Sequence, residues 1–193
     1  MGTTALPAEL EGIFGNQSDV FKSRQDIFDE AAKTIPNLEK VVYLTILWGY
    51  SNGMRNDYFS CIVDQMLKLT RILGQARERG ISDWKSHFSS TDNRLRGLGP
   101  STRSKLLYFL GVKVESYEAL ILDQRLVDVF KNKVFDDFSD LEHLKPEKDY
   151  VCYLRKMDAV AQSLAVPKEN IEMFLFTFGS QLKANERCLG SRP

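Results

Sequence analysis

Residues 95–105 read Leu-Arg-Gly-Leu-Gly-Pro-Ser-Thr-Arg-Ser-Lys, and the interpretation of the whole chain starts from this stretch. Gly97 and Gly99 allow a tight turn whose backbone N–H groups can come close to an anion. Ser101 and Thr102 are typical helix N-cap residues, so the helix that follows would direct its positive end toward the same anion. The stretch therefore predicts an anion-binding turn before a helix, although a plain glycine-rich connection between two helices has the same pattern.

The sequence around this turn predicts helices almost throughout. Apolar residues recur at steps of three and four, most regularly over residues 57–76, which is the spacing of one buried helical stripe. N-cap candidates at 90–93 predict a short turn ending near Arg96, and residues 184–193 are expected to form a loose tail. No strand pattern of useful length is present, so the predicted fold class is all-α. The predicted helices cover residues 25–33, 38–48, 57–76, 81–88, 103–110, 124–130, 148–164 and 168–183.

The composition is that of an ordinary globular protein. The chain has 193 residues, of which 43% are hydrophobic and 27% are charged, so it suits one domain and is too apolar to be disordered. No apolar run approaches the ~20 residues that span a bilayer, and the N-terminus lacks the features of a signal peptide. We therefore expect a soluble, intracellular protein that forms a single domain over residues 1–193.

The cysteines and histidines predict neither a metal site nor a disulfide framework. Cys61, Cys152 and Cys188 are odd in number, far apart in sequence and without CxxC spacing. His87 and His143 have no partners at metal-ligand spacing. These side chains are therefore interpreted as structural or solvated groups, and no bound metal is expected.

The charges balance over the whole chain but not along it. Lys and Arg together number 26, and so do Asp and Glu. Residues 66–113 hold ten basic and three acidic residues, a local charge of +7 that the remainder offsets with −7. Phosphate contacts respond to the local field rather than to the total charge, so this segment is compatible with nucleic-acid binding. Basic side chains spread over solvated helix faces would give the same count.

Lys105 and Asp123 connect the glycine turn to chemistry. Asp123 follows the apolar run 119–122, at the point where a new helix is predicted to begin. Taken singly, the two residues are a solvated lysine and a helix N-cap. Their order and spacing after the turn resemble the helix-hairpin-helix-GPD superfamily of DNA base-excision glycosylases. The likeness is greatest to the 8-oxoguanine glycosylase/AP-lyase branch, because residues 103–109 resemble the lysine helix of its divergent prokaryotic members.

This resemblance implies an architecture. It covers residues 38–181 and implies two helical lobes, with a helix-hairpin-helix element and an active-site cleft between them. Lobe A would contain about 1–88 together with the helices of 148–183, and lobe B about 89–147.

The resemblance also implies a catalytic pair. Lys105 would be the nucleophile that attacks the sugar C1′. Its place near a helix N-terminus, partly desolvated and close to other cations, favours the neutral amine that this attack requires. Asp123 would stabilise the cationic sugar as the base departs and would move protons during the later steps.

The position of the lysine departs from the family's commonest pattern. That lysine usually stands two residues after the second hairpin glycine, where this chain has Ser101, and Lys105 comes four residues later. With Ser101 at the nucleophile position, the protein would be a monofunctional glycosylase or a non-catalytic binder. The cysteine run that holds a four-iron cluster in some relatives is missing, so no cofactor is expected. The resemblance allows a monovalent cation at the hairpin carbonyls.

Further residues would hold the DNA and the flipped base. Asn52 and Met54 match a corner between two helices that carries a wedge, which fills the gap left by a flipped nucleotide. Glu172 and Phe176 match residues that contact the base edge and stack on its face, with a carboxylate in place of the family's amide. A surface turn and core aromatic residues are the alternatives for these positions. The residues implied to contact the DNA backbone are Gly97, Gly99, Ser101, Arg103 and Arg125.

The function that the resemblance implies is base excision. A DNA glycosylase with AP-lyase activity would remove an oxidised or modified purine, 8-oxoguanine first, by base flipping and lysine Schiff-base chemistry. Its partner would be double-stranded DNA, and we expect a monomer in the cytoplasm, at the nucleoid of a prokaryote, without membrane association. The alternatives are a non-catalytic helix-hairpin-helix DNA-binding module, a glycosylase for another modified base that serves in defence against phage, and a helical protein-interaction domain.

Overall fold

The computed structural model describes residues 8–14, 23–50, 53–54, 57–88 and 95–189. Within these ranges the chain forms ten α-helices, one 3₁₀ helix and one two-stranded hairpin, which confirms the all-α prediction. The α-helices are α1 (Ala8–Phe14), α2 (Arg24–Ala31), α3 (Leu38–Gly49), α4 (Tyr58–Asp64), α5 (Met66–Arg79), α6 (Trp84–His87), α7 (Pro100–Phe109), α8 (Gln124–Lys131), α9 (Pro146–Leu164) and α10 (Lys168–Leu189). The 3₁₀ helix spans Asp136–Leu141, and the antiparallel strands are β1 (Lys113–Val114) and β2 (Tyr117–Glu118).

Several helices begin where local capping residues predict. Ser23 and Asp26 form a capping box at the start of α2, in which each side chain accepts a hydrogen bond from the other residue's backbone N–H. Asn37 accepts from the backbone N–H of Lys40 at the start of α3. α9 begins with Pro146. Proline has no backbone N–H, and this costs no hydrogen bond because the N–H groups of a first helical turn have no acceptor within the helix. α2, α3, α8 and α9 therefore lie within two residues of their predicted ranges.

The single helix predicted over 57–76 is wrong, because the chain breaks at Gln65 into α4 and α5. The backbone N–H of Gln65 donates to the Ile62 carbonyl, one residue short of the α-helical partner. The side-chain amide nitrogen of Gln65 instead donates to the carbonyl of Cys61. It also donates to the carbonyl of Arg96, and the side-chain oxygen of Gln65 accepts from the backbone N–H of Arg96. Apolar periodicity continues through the break, with Ile62 and Met66 both buried, so the pattern could not reveal it.

The helix predicted to begin at Arg103 begins three residues earlier, at Pro100. Gly99 is its N-cap, and proline fits the first helical position because its fixed φ suits the helix. Ser101 and Thr102, predicted as caps, therefore lie within the first turn of α7. The earlier start places Ser101 and Lys105 one turn apart on the same helix face.

Other differences concern segments without a strong sequence signal. The loose tail predicted over 184–193 is wrong for 184–189, which continue α10 because no proline or glycine interrupts them before Gly190. Helix α1 and the 3₁₀ helix were not predicted. The turn predicted from 90–93 falls mostly outside the described residues, as do 190–193.

One hydrophobic core contains residues from both predicted lobes. Helix α7 packs against α2, α3 and α5, and α8 packs against α10. Leu44 of α3, Leu107 of α7, Val129 of α8 and Leu175 of α10 all belong to the same buried cluster. The assignment of two lobes stays a prediction, and the core between them is continuous.

The packing of α8 on α10 depends on a glycine, and this gives a prediction. A Cβ added at Gly179 would lie 2.5 Å from Cγ2 of the buried Val129. We expect Gly179→Ala to lower the free energy of unfolding by about 1–3 kcal/mol, measured by urea denaturation, because overpacking outweighs the helix propensity of alanine.

Gly12→Ala is the matched control for this substitution. A Cβ at Gly12 meets no atom within 4 Å, so alanine there should stabilise α1 by up to about 1 kcal/mol. Equal effects at the two positions would contradict the close approach of α8 and α10.

Candidate active site

Lys105 lies in the second turn of α7, buried against the end of α3. Only 5% of the residue is exposed. Its side chain passes over Gly49, where an added Cβ would lie 3.4 Å from Nζ, and Nζ is 5.3 Å from the centroid of the Tyr50 ring. Tyr50 is itself fixed by a hydrogen bond between its hydroxyl and that of Thr102. The amine is therefore held away from bulk water at one position.

Asp123 is positioned by hydroxyl groups that hold the extended segment before it. The Tyr150 hydroxyl donates to the Leu120 carbonyl at 2.6 Å and accepts from the Leu120 N–H at 3.2 Å. The Tyr153 hydroxyl donates to the Ile121 carbonyl at 2.8 Å. Both tyrosines lie on α9 and are fully buried, so the segment is fixed where it enters α8.

Ser104 joins this segment to α7. Its hydroxyl accepts from the backbone N–H of Leu122 at 3.0 Å and donates to the carbonyl of Ser101 at 2.9 Å. Ser104 precedes Lys105 and Leu122 precedes Asp123, so this bond brings the lysine and the aspartate together. The seventeen residues between Lys105 and Asp123 include the end of α7 and the β1–β2 hairpin, and a buried hydrogen bond joins their two ends.

The two predicted catalytic residues are in direct contact. Lys105 Nζ lies 3.2 Å from Asp123 Oδ2, which also accepts from the Ser101 hydroxyl at 3.3 Å. Asp123 Oδ1 accepts from the backbone N–H of Arg125 at 3.1 Å and so caps α8. The N-cap and the contact with Lys105 use different oxygens, so Asp123 makes both at once, and its catalytic role stays a prediction.

The surroundings of Asp123 keep it ionised. Burial alone would raise the pKa of this carboxyl, but the Arg125 N–H, the charge of Lys105, and hydrogen bonds from Lys105 and Ser101 outweigh burial. The pKa therefore lies below its ordinary value of 3.8. At neutral pH the site holds a fixed negative charge beside the amine.

The pair faces a pocket of about 450 Å³. Its walls come from both predicted lobes, because α2, α3 and α10 line it together with α7 and the start of α8. The lining residues are Arg24, Trp48, Gly49, Lys105, Ile121, Asp123, Arg125, Glu172 and Phe176. Four of the residues predicted from the sequence, Lys105, Asp123, Glu172 and Phe176, thus line one cavity together with the predicted phosphate contact Arg125.

Glu172 is fully buried and forms an ion pair that the sequence did not predict. Arg24 Nη1 and Nη2 lie 3.3 and 3.4 Å from its two carboxylate oxygens. Burial raises the pKa of Glu172, with Asp123 and Glu169 adding to the increase, although the Arg24 charge and hydrogen bond lower it. Arg24 and Glu172 are 148 residues apart, so neither periodicity nor spacing could have paired them.

Phe176 follows Glu172 by one turn of α10 and is partly exposed in the pocket. The guanidinium of the exposed Arg125 lies over its ring, with 4.7 Å between Cζ and the ring centroid. An Arg125 predicted to contact phosphate therefore also covers an aromatic face. Trp48, at the end of α3, lines the same pocket.

The other predicted residues that the structure describes do not line this pocket. Gly97 has a φ of +80° and lies so near Tyr58 that a Cβ would approach its carbonyl oxygen to 2.9 Å. The Arg103 guanidinium packs over Phe88 at 4.8 Å, and burial lowers its pKa. Met54 is half-buried against the core, whereas Asn52 falls outside the described residues. Their roles in binding DNA stay predictions, as does that of Gly99.

Neither a metal centre nor a membrane segment is found in the parts of the chain that the structure covers. No group of three or more His, Cys, Asp or Glu side chains there could hold a metal ion. None of the described helices combines the length and the apolar character that crossing a bilayer requires. Among the described side chains, those of Cys61 and Cys152 are free thiols.

Comparison with known proteins gives one informative result. A family model described as "OGG: Putative 8-oxoguanine DNA glycosylase OGG-like protein" matches residues 3–176. This range includes every residue that lines the pocket. Comparisons with curated proteins and with solved structures gave no match.

The raised pKa of Glu172 predicts a pH dependence of stability. Because the carboxyl binds its proton more tightly in the folded state, ionisation destabilises the fold, and stability falls as pH rises from 4.5 through the raised pKa. Glu172→Gln removes this loss. We expect the Tm of the variant minus that of the wild type to increase between pH 4.5 and pH 8.

Thermal unfolding across this pH range measures the difference. Glu78→Gln, which changes an exposed carboxylate on α5, reports the background effect of removing one surface charge. A Tm difference for Glu172→Gln that stays flat or shrinks with rising pH would show that Arg24 fully compensates the burial of the carboxylate.

Proposed function

The chain belongs to the OGG-like family, and from this membership we propose that it is a DNA glycosylase with AP-lyase activity. The proposed substrate is an oxidised or modified purine in double-stranded DNA, with 8-oxoguanine first. One observation carries the lyase part of the proposal: Lys105, 5% exposed, holds its amine 3.2 Å from the Asp123 carboxylate at the wall of a pocket of about 450 Å³.

The proposed first step is attack on the sugar. The neutral amine of Lys105 forms a bond to C1′ while the bond from C1′ to the base breaks. The electron pair of the broken bond leaves with the base, which takes up the proton that the attacking nitrogen gives up. Positive charge develops on the sugar during this exchange. Asp123 lies where its carboxylate would stabilise that charge, and its low pKa supports an electrostatic role.

The second step follows from the covalent intermediate. Opening of the sugar ring converts the amine adduct into a protonated Schiff base, which acidifies the hydrogens on C2′. Removal of one such proton expels the 3′-phosphate and cleaves the strand, and water then releases Lys105. The fixed contact between Lys105 and Asp123 keeps a carboxylate beside the nitrogen through these proton transfers.

The alternative nucleophile position at Ser101 also fits this geometry, but as a supporting group. Its hydroxyl donates to the same Asp123 oxygen that Lys105 contacts. Ser101 and Lys105 lie one helical turn apart on α7, and the side chains of both contact that oxygen. This supports Lys105 as the family's lysine, displaced by one turn.

The proposal extends to the binding residues. Gly97, Gly99, Arg103 and the N-terminus of α7 would contact the DNA backbone, with a monovalent cation at the hairpin. Arg125 would contact a phosphate, and Met54 with Asn52 would fill the gap left by the flipped nucleotide. The acting unit would be a monomer engaged in base excision repair in the cytoplasm.

Borohydride trapping tests the proposal. Wild-type protein is incubated with labelled duplexes that contain 8-oxoguanine, an abasic site, uracil or no lesion, and borohydride reduces any Schiff base to a stable adduct. We expect a covalent band on the 8-oxoguanine and abasic duplexes with the wild type. Lys105→Gln should lose the band, because its side chain has no nucleophilic amine.

Lys131→Gln is the matched control, since Lys131 is an exposed lysine in the last turn of α8. DNA affinity measured in parallel separates catalysis from binding. In an enzyme, Lys105→Gln should change affinity by less than about twofold. A loss of affinity with a salt slope reduced by about one, and no band with any protein, would instead indicate a non-catalytic DNA-binding module.

A further inference from the structure

Arg24 lines the same pocket as the catalytic pair. Its Cζ is 5.1 Å from the centroid of the Trp48 ring and 5.7 Å from that of Tyr108. Both distances suit cation–π contacts, which hold a guanidinium in place. With the ion pair to Glu172, three contacts fix the donors of Arg24 at one edge of the pocket.

Arg24 and Glu172 satisfy each other's hydrogen-bonding groups. The side chain of Glu172 is 0% exposed and that of Arg24 is 20% exposed, so water does not replace this partner at the carboxylate. A buried carboxylate without a partner is costly. The distances of 3.3 and 3.4 Å exceed the ~2.7–2.9 Å of a closed charge-assisted pair, so a ligand with matching groups could replace these hydrogen bonds.

We propose that Arg24 is a specificity-determining residue, which donates to O6 of a flipped guanine-type base while Glu172 accepts from N1–H and the 2-amino group. This inference rests on the proposed glycosylase function. The base would stack on Phe176, which lies one turn from Glu172 on α10, in place of the Arg125 guanidinium that lies over this ring. Lys105 lines the same pocket.

The order of donors and acceptors on the base decides which substrates fit. Guanine presents an acceptor, O6, next to two donors, N1–H and the 2-amino group, and these complement a guanidinium next to a carboxylate. Adenine presents an amino group to Arg24 and the lone pair of N1 to Glu172, so both contacts are repulsive. Cytosine has the same reversed order. Uracil offers one donor but places O2 against the carboxylate.

The ion pair also penalises a wrong base. A guanine edge replaces the hydrogen bonds that Arg24 and Glu172 give up to each other. Any base that separates them without that edge leaves the buried carboxylate unpaired. Sites built from buried polar partners reject analogues that lack the matching groups, by up to about 10⁴–10⁵-fold.

The test compares three duplexes in single-turnover assays. They contain 8-oxoguanine, 8-oxoadenine, which carries the same oxidation on an adenine edge, and a preformed abasic site, which has no base. The proteins are wild type, Glu172→Gln, and the double variant Arg24→Gln with Glu172→Gln, in which an amide pair replaces the ion pair without a buried charge. Tm values establish that each variant is folded.

We expect the wild type to prefer 8-oxoguanine strongly over 8-oxoadenine. Glu172→Gln should lower 8-oxoguanine excision by about 10–100-fold, the factor for one hydrogen bond to a charged group, and should narrow the preference because an amide can donate to adenine N1. The double variant should reduce the preference for 8-oxoguanine over 8-oxoadenine further. Cleavage at the preformed abasic site should stay within about twofold of wild type in all variants.

Arg155→Gln and Glu78→Gln are matched controls, because both residues are exposed and neither lines the pocket. An unchanged preference in both pocket variants, or equal losses on the base and abasic duplexes, would overturn the role of Arg24 and Glu172 while leaving the glycosylase intact. Equal excision of both bases by the wild type would do the same. A wild type that processes no duplex would overturn the proposed function itself, and the edge contacts with it.

Discussion

The buried hydroxyls of Tyr150 and Tyr153 hold the segment 119–123, and the geometry of the site depends on this anchoring. The segment belongs to neither β1 nor β2, so side chains supply the hydrogen bonds that a strand ladder would otherwise provide. Burial raises the pKa of both phenols well above 10.0, so they remain donors at any physiological pH. A hydrogen bond from the Leu122 N–H to the Ser104 hydroxyl then joins the same segment to α7, and it holds Asp123 beside Lys105.

The contact between Lys105 and Asp123 shows how one residue serves two purposes at little structural cost. A helix needs an acceptor at its N-terminus, and Asp123 provides it with one oxygen. The other oxygen accepts from the Lys105 amine and from the Ser101 hydroxyl. The backbone geometry that stabilises α8 therefore also directs the negative charge of Asp123 toward the Lys105 amine.

The sequence revealed the parts of this structure that depend on local signals. Caps and periodicity predicted α2, α3, α8 and α9. The family resemblance singled out four site residues that line one pocket in the structure, namely Lys105, Asp123, Glu172 and Phe176. The sequence did not predict contacts between residues that are far apart along the chain. The break at Gln65 depends on Arg96, 31 residues later, and the partner of Glu172 is Arg24 at the other end of the chain. A pattern read along one segment carries no information on such pairings.

The hydrophobic core runs without interruption from one wall of the pocket to the other. Moving the walls apart would expose apolar surface at a cost of about 25 cal/mol per Å², so a hinge motion that opens the pocket is disfavoured. If the proposed glycosylase function holds, a flipped nucleotide would enter a pocket of fixed shape, and spontaneous opening of the duplex would limit how often the nucleotide is bound. The same lesion would be found sooner in a weakly stacked or mispaired context than in a stable one, with identical contacts in the pocket.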